Sequence, residues 1–226
     1  MKAREEILKR LEKAPRSPKL SAFTGEAPQS SAVVPKEERL ELFLMRLRQN
    51  GATVMVLEEG GELAVEGLLK LLKDEGAKKV LLSGALGSLL REPLEKALRD
   101  RGILGILAPE REEELKREAL LADAGVSVAR WGIAQLGVLV LVHGPDNPRL
   151  LSLAPPLSVV VLHAEDILGG LEELAGESAI SLSAGSQVTL VSGPSQSADI
   201  QGVPFFGMHG PKKLIVALLA RVGPRS

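Results

Sequence analysis

The feature that most constrains this chain is a regular alternation, from Lys36 onward, of short apolar runs with helical periods. Leu40, Phe43, Leu44 and Leu47 recur at helical spacing, and Asn50-Gly51 closes that segment. Thr53–Leu57 is short, apolar and β-branched, as a buried strand is. Val65, Leu68, Leu69 and Leu72 resume the helical spacing, and Gly76 stops it. Lys79–Ser83 reads as a second strand and Glu92–Asp100 as a helix with Pro93 in its first turn. Ile103–Leu107 reads as a third strand, and Glu110–Ala124 as a charged helix with Leu115, Ala119 and Ala122 inward. Apolar runs without alternation suit strands buried on both faces, and strand–helix–strand connections cross over right-handed. The expected fold is α/β, a mainly parallel sheet covered by helices.

The second half is richer in strands: Val138–Val142, Ser158–Leu162, Gln187–Val191 and Leu214–Leu219 are all apolar runs. Helices are expected at Ala164–Ala175 and near Glu177–Ala184. Ahead of Lys36 the pattern differs. Met1–Lys13 reads as a short amphipathic helix, and Ala14–Pro35 as a connector, since Pro15, Pro18, Pro28 and Pro35 oppose regular structure. The expected organisation is an N-terminal helix and Pro-rich arm over 1–35, then one α/β domain over 36–226.

Composition removes several function classes. The formal net charge of −1 provides no field to gather nucleic acid, and with one Trp and no Tyr there are few platforms for stacking bases. The chain has no cysteine, so it supplies no disulfide, no thiolate nucleophile and no thiolate ligand to zinc or an iron–sulfur cluster. No cofactor is expected in this chain. The charged start lacks a signal-peptide core, and no apolar run approaches the roughly 20 residues of a membrane span, so a cytoplasmic location is expected. His143, His163 and His209 lie at expected strand ends without an HExxH pattern, which reads either as a three-histidine metal site or as hydrogen-bonded turn histidines.

Four segments are candidate ligand sites. Ser83–Ser88, with Gly84, Gly87 and Ser88, joins a strand to a helix, where backbone N–H groups suit a phosphate. It is neither a P-loop nor a dinucleotide fingerprint. Gln135 is the polar side chain ahead of Val138–Val142, suited to orienting a carbonyl or to capping a helix end. Arg149 and Ser152 follow the turn His143–Pro148, and Arg149 offers a fork for a carboxylate or phosphate, or else a tie between loop and sheet. The densest polar cluster is Ser192, Gly193, Pro194, Ser195 and Asp199, continued by His209, Gly210 and Pro211. Ser195 is a candidate N-cap of a brief helical turn that would present N–H groups to an anion at a strand's carboxyl end. Asp199 is a candidate base, ligand orienter or partner of Arg149. His209 is a candidate titrating group near neutrality.

Ser192-Gly193-Pro194-Ser195-Gln196-Ser197-Ala198-Asp199-Ile200, followed by Gly207-Met208-His209-Gly210-Pro211, resembles the end signature of the LUD-domain family, in its lactate utilization protein C branch. Ala122–Val126, Ile133–Gly137 and Arg149–Pro156 add to the likeness. Gln135 and Leu136 stand where the family has an acidic residue and Thr, Ser158 where it has His, and Ser197 where it has Thr. The resemblance implies a fold similar to the NagB/RpiA/CoA-transferase-like group. It also implies a role beside iron–sulfur partner subunits in oxidising L-lactate to pyruvate, in which this chain is expected to bind a small carboxylate or to organise the complex. The cysteine-free composition fits that division of labour. The alternatives are a stand-alone enzyme on a sugar phosphate or acyl-CoA, and a non-catalytic regulatory or assembly module. If the missing acidic group takes part in chemistry, this chain has lost or altered that chemistry.

Overall fold

A computed structural model describes residues 34–59, 61–174, 187–198, 204–206 and 210–220. The expected helix over Met1–Lys13, nearly all of the connector and the helix near Glu177–Ala184 lie outside the described residues. Helix α1 (Lys36–Gln49) leads into β1 (Thr53–Glu58), α2 (Gly61–Asp74), β2 (Lys79–Leu82), α3 (Ser88–Asp100), β3 (Leu104–Leu107) and α4 (Glu112–Leu121). There follow β4 (Ala124–Val128), β5 (Trp131–Ile133), β6 (Val138–His143), α5 (Leu150–Leu153), β7 (Leu157–His163) and β8 (Ile167–Leu168). The last strands are β9 (Gln187–Val191), β10 (Gln196–Ala198), β11 (Pro204–Phe206) and β12 (Lys213–Ala220).

Six strands form one sheet in the order β1-β12-β7-β4-β2-β3, every neighbouring pair parallel. A second sheet, β8-β5-β6-β9, contains the antiparallel pairs β5–β6 and β6–β9. β10 and β11 form an antiparallel pair of their own.

Burial on both faces explains the apolar runs. Val80, Leu82, Val126, Val159, Val161, Ile215 and Ala217 face α2 and α3, which contribute Leu68, Leu72, Leu94 and Leu98. The alternate residues face the other way. Val160, Leu162, Val216 and Leu218 pack on Phe43 and Leu47 of α1 and on Leu139 and Leu141 of the second sheet. Leu81 packs on α4 and α5. The central strands therefore have no wet face, and alternation is absent from their sequence.

Three expected helices change. Glu110–Ala124 ends as a helix at Leu121, and Ala124–Val128 is instead a central strand. Ala124 and Gly125 are poor strand formers, which hid it. Gly125 is there for space: a Cβ on it would lie 2.0 Å from the Leu151 carbonyl oxygen, so α5 rides directly on β4. The helix expected from Glu92 starts earlier, at Ser88. Gly87 makes that start with φ 70° and ψ 161°, a conformation essentially restricted to glycine. Pro93 therefore lies inside α3 rather than in its first turn, and removes the bond to the Leu89 carbonyl on the helix's exposed side. The expected helix Ala164–Ala175 is a 3-10 turn at Ala164–Asp166, then β8, then helical backbone over 171–174.

Gly125→Ala is expected to destabilise the fold by about 3 kcal/mol, because its clash is with backbone rather than a flexible side chain. Gly61→Ala, where nothing lies within 4 Å of the new methyl, is expected to change stability by less than about 1 kcal/mol. Urea unfolding of both variants checks the contrast.

Candidate functional site

The strand order decides where a ligand cleft forms. β2 sends its connection to the α2–α3 face, whereas its neighbour β4 sends its own to the face that carries α5 and the second sheet. Clefts in open α/β sheets form outside the carboxyl ends of such strands. At this place the chain puts Ser83, Asn147 and His143, all buried.

Asn147 organises the group. Its Nδ2 donates to the carbonyls of Val128 (2.8 Å) and Val142 (3.2 Å), and its Oδ1 accepts from the Val128 N–H (3.3 Å). One carboxamide thus joins the end of β4 to the end of β6, and hence the two sheets. The turn that delivers it is local: Asn147 N–H returns to the Gly144 carbonyl (3.2 Å), with Pro145 at the position where a turn favours it. Ser83 Oγ lies 2.7 Å from the Asp146 carbonyl and 2.9 Å from Asn147 Oδ1, and accepts from the Ala85 N–H.

His143 faces the Asn147 carbonyl through Nδ1 (3.2 Å) and Thr189 Oγ1 through Nε2 (3.0 Å). A carbonyl only accepts, so Nδ1 carries the proton and Nε2 accepts from the Thr189 hydroxyl. Burial lowers the His143 pKa; the Asn147 carbonyl opposes that shift and the Arg149 charge adds to it. His143 is therefore a neutral, structural imidazole.

The residues singled out from sequence fall into separate places. Gly84, Gly87, Ser88, Arg149 and Ser152 lie by the carboxyl ends. Gly84 is pressed against Asp146, whose Oδ1 lies 3.2 Å from where a Cβ would be, so the turn that suits a phosphate also carries a carboxylate. Gly87 and Ser88 are exposed at the start of α3. Arg149 is exposed and bonds Gln187 Oε1 (3.3 Å), which ties the loop to β9. Ser152 Oγ turns back to the Arg149 carbonyl (3.0 Å) within α5.

Gln135 is elsewhere. It follows β5 at the far end of the β5–β6 hairpin, about 17 Å along β6 from His143. Its N–H bonds the Gly169 carbonyl. Ser158, at the position of the family's usual His, is buried within β7 between Gly125 and Leu214. Its hydroxyl and that of buried Ser127 have no hydrogen-bond partner among the described residues.

Ser192, Gly193, Pro194, Ser195, Gly210 and Pro211 lie at the opposite pole, beside the amino ends of β1 and β12. A Cβ on Gly193 would lie 2.2 Å from the Asn50 carbonyl oxygen, and Pro194 contacts Gly51. Asn50 Nδ2 in turn donates to the carbonyls of Leu136 and Gly137. Ser195 does not begin a helical turn. Its N–H is taken by the Pro211 carbonyl (2.9 Å), and the chain continues extended into β10. The cluster therefore does not extend from the carboxyl end of a parallel strand, since β9 belongs to the antiparallel sheet. Asp199 and His209 lie outside the described residues.

Sequence reading passed over Asn147 and Thr189, which carry no motif, and Glu59, Arg130 and Asp166, which flank strand ends. The signal for the last three was positional: each follows an apolar run. No group of three His, Cys, Asp or Glu side chains is placed to hold a metal among the described residues, and no described helix is long and apolar enough to cross a membrane.

Comparison with known proteins fits this architecture. The LUD domain family model matches residues 40–219, and the chain belongs to that family. An uncharacterized protein of Neisseria meningitidis serogroup B is 30% identical over 223 residues, covering 96% of this chain and 93% of that one. Lactate utilization protein C of Deinococcus radiodurans is 32% identical over 99 residues, 43% of this chain and 47% of that protein. The crystal structure of a DUF162 family protein from D. radiodurans superposes with a TM-score of 0.61 at 22% identity, covering 82% of this chain and 99% of that one, which shows a shared fold. Within the family motif around Ala122–Val126, Asp123 Oδ2 accepts the N–H groups of Lys78 and Lys79, each at 2.8 Å, and so caps the start of β2.

Asn147→Ala leaves several buried backbone groups unpaired and is expected to cost about 2–4 kcal/mol in chemical unfolding. A second expectation concerns pH. The pKa of His143 is lower in the folded than in the unfolded chain, so the unfolded state binds more protons below about pH 6.5 and stability falls as pH drops through that range. The Tm loss between pH 7.5 and 5.5 is expected to be smaller in His143→Gln than in the wild type, as thermal melts at the two values will show.

Proposed function

We propose that this chain is a subunit of an L-lactate utilization system, acting beside iron–sulfur partner subunits and binding a small carboxylate at the carboxyl pole of its parallel sheet. The observation that carries the reading is the set of relatives. Proteins named lactate utilization protein C match at about 30% identity, and two named lactate utilization protein B match as well. The chain spans less than half the length of each of these, so substrate and partners are part of the proposal rather than inherited facts.

Chemistry supports the division of labour. Oxidising a 2-hydroxy acid to a 2-oxo acid releases two electrons. A chain without a single cysteine offers no thiolate to an iron–sulfur cluster, so in this reading the clusters belong to the partners. The carboxyl pole supplies cationic side chains for a carboxylate, Arg149 beside His143 and Arg130 beyond β4.

Deletion of the gene is expected to abolish growth on L-lactate while growth on pyruvate persists, and affinity purification of the tagged chain from lactate-grown cells is expected to recover iron–sulfur proteins. Intact lactate growth after deletion, with no such protein recovered, rejects the reading. Normal lactate oxidation with altered abundance of the oxidising subunits would instead select an assembly role.

A further inference from the structure

A second polar group at the carboxyl pole has no part in the sheet-joining contacts. Glu59 follows β1 and donates its N–H to the Ala220 carbonyl of β12 (2.8 Å). His163 ends β7. Leu219 of β12 is paired with both Leu57 and His163, so the three strands finish side by side. Across the end of β12, Glu59 Oε1 lies 3.2 Å from His163 Nδ1. The pair again marks a reversal of connections, because β1 leads to the α2–α3 face and β7 to the other.

The contact fixes the imidazole. A carboxylate partner only accepts, so in the neutral ring the proton sits on Nδ1 and the lone pair on Nε2. The His163 side chain is 40% exposed. Asp166 stands one short turn further on, and Arg130, His163, Glu165 and Glu59 all act electrostatically on its carboxyl. Burial dominates there and holds the Asp166 pKa above its ordinary value. Arg130 lies 5.2 Å over the ring of Trp131, a buried residue, so its guanidinium rests on a rigid support.

We propose that His163, oriented by Glu59, is the hydrogen-bond acceptor of a ligand site anchored by Arg130, and that the ligand is a small 2-hydroxy or 2-oxo monocarboxylate. The ligand's class rests on the lactate reading above, while the site rests on the Glu59–His163 contact and on the charges of Arg130 and His163 that meet at Asp166. The guanidinium fork pairs with the carboxylate, and a 2-hydroxyl next to it reaches Nε2. The hydroxyl keeps its proton and donates a hydrogen bond to the Nε2 lone pair, while Glu59 holds the opposite edge of the ring. The surrounding charges select the ligand's valence. One arginine balances one carboxylate, while Glu59, Glu165 and Asp166 oppose a phosphate dianion or a dicarboxylate.

Calorimetric titration of the full-length protein with L-lactate, pyruvate, succinate and inorganic phosphate tests the site. Lactate and pyruvate are expected to bind, succinate and phosphate at least tenfold more weakly. Arg130→Gln and His163→Asn are each expected to weaken lactate binding about tenfold or more. The imidazole nitrogen shifts of His163 in histidine-labelled wild-type protein are expected to report the Nδ1–H tautomer and to move on adding lactate. In Glu59→Leu they should report mixed tautomers and respond less to lactate, and a purely structural contact would not require the weaker response. Lactate binding unaltered in both Arg130→Gln and His163→Asn, or His163 shifts indifferent to lactate in the wild type, overturns the proposal. Complementation separates the two readings: if deletion abolishes lactate growth but both variants restore it, the functional reading stands and this site is wrong.

Discussion

The carboxamide of Asn147 is the contact on which the rest of the site depends. A parallel sheet buried on both faces can be finished at its ends only if the last backbone groups find partners. At the end of β4 the next strand does not provide them, because the chain turns away into β5. Asn147 offers one donor and one acceptor at the spacing of a strand residue, and takes both the N–H and the carbonyl of Val128. Its second donor reaches Val142, and its own carbonyl receives His143. The second sheet is thereby held at a fixed place over the first, and an imidazole can be buried uncharged. Leaving such groups unpaired would cost more than the bonds themselves contribute.

The two poles of the sheet then differ in kind. At the amino pole, glycines and prolines let backbone pass close to backbone, as Gly193 does beside Asn50. At the carboxyl pole the side chains are polar, and they gather where neighbouring connections part to opposite faces. Ser83, Asn147 and His143 are consumed by hydrogen bonds that hold the structure together. His163, Glu59 and Asp166 are half-buried and Arg130 is exposed.

Much of the architecture was legible from the chain itself, because double-sided burial writes itself as unbroken apolar runs such as Lys79–Ser83 and Ser158–Leu162. β4 was not legible, since Ala124 and Gly125 are chosen for the close approach of Leu151 rather than for strand propensity. The second sheet was missed for a related reason: Trp131–Ile133 is too short to show a period, and β9, on the far side of β6, reads like any buried strand. Among the candidate residues, Ser83–Ser88, Arg149 and Ser152 stand out separately by their turn chemistry, and the fold brings them to the carboxyl ends of the sheet. The link between Asn147, Val128 and Val142 was invisible, because it joins segments whose proximity is decided by topology. The polar cluster from Ser192 stands out by its density and by the family signature it carries. In the described residues, that density meets the needs of tight packing at Asn50 and Gly51.

The position of β12 bears on how such a chain acquires its structure. This strand follows every other strand of the large sheet in the chain, yet it lies between β1 and β7, with Thr53 in register with Ile215. Until it arrives, β1 has no hydrogen-bonded neighbour, and β7 presents an open edge lined with Val159, Val160 and Val161. Synthesis from the amino end therefore leaves a long interval in which two apolar edges await the same late segment. Pairings so distant in sequence form slowly, and exposed edges in the meantime invite association between chains. The strand that completes the pole bearing His163 and Glu59 is thus also the one whose late arrival sets when the protein becomes safe from aggregation.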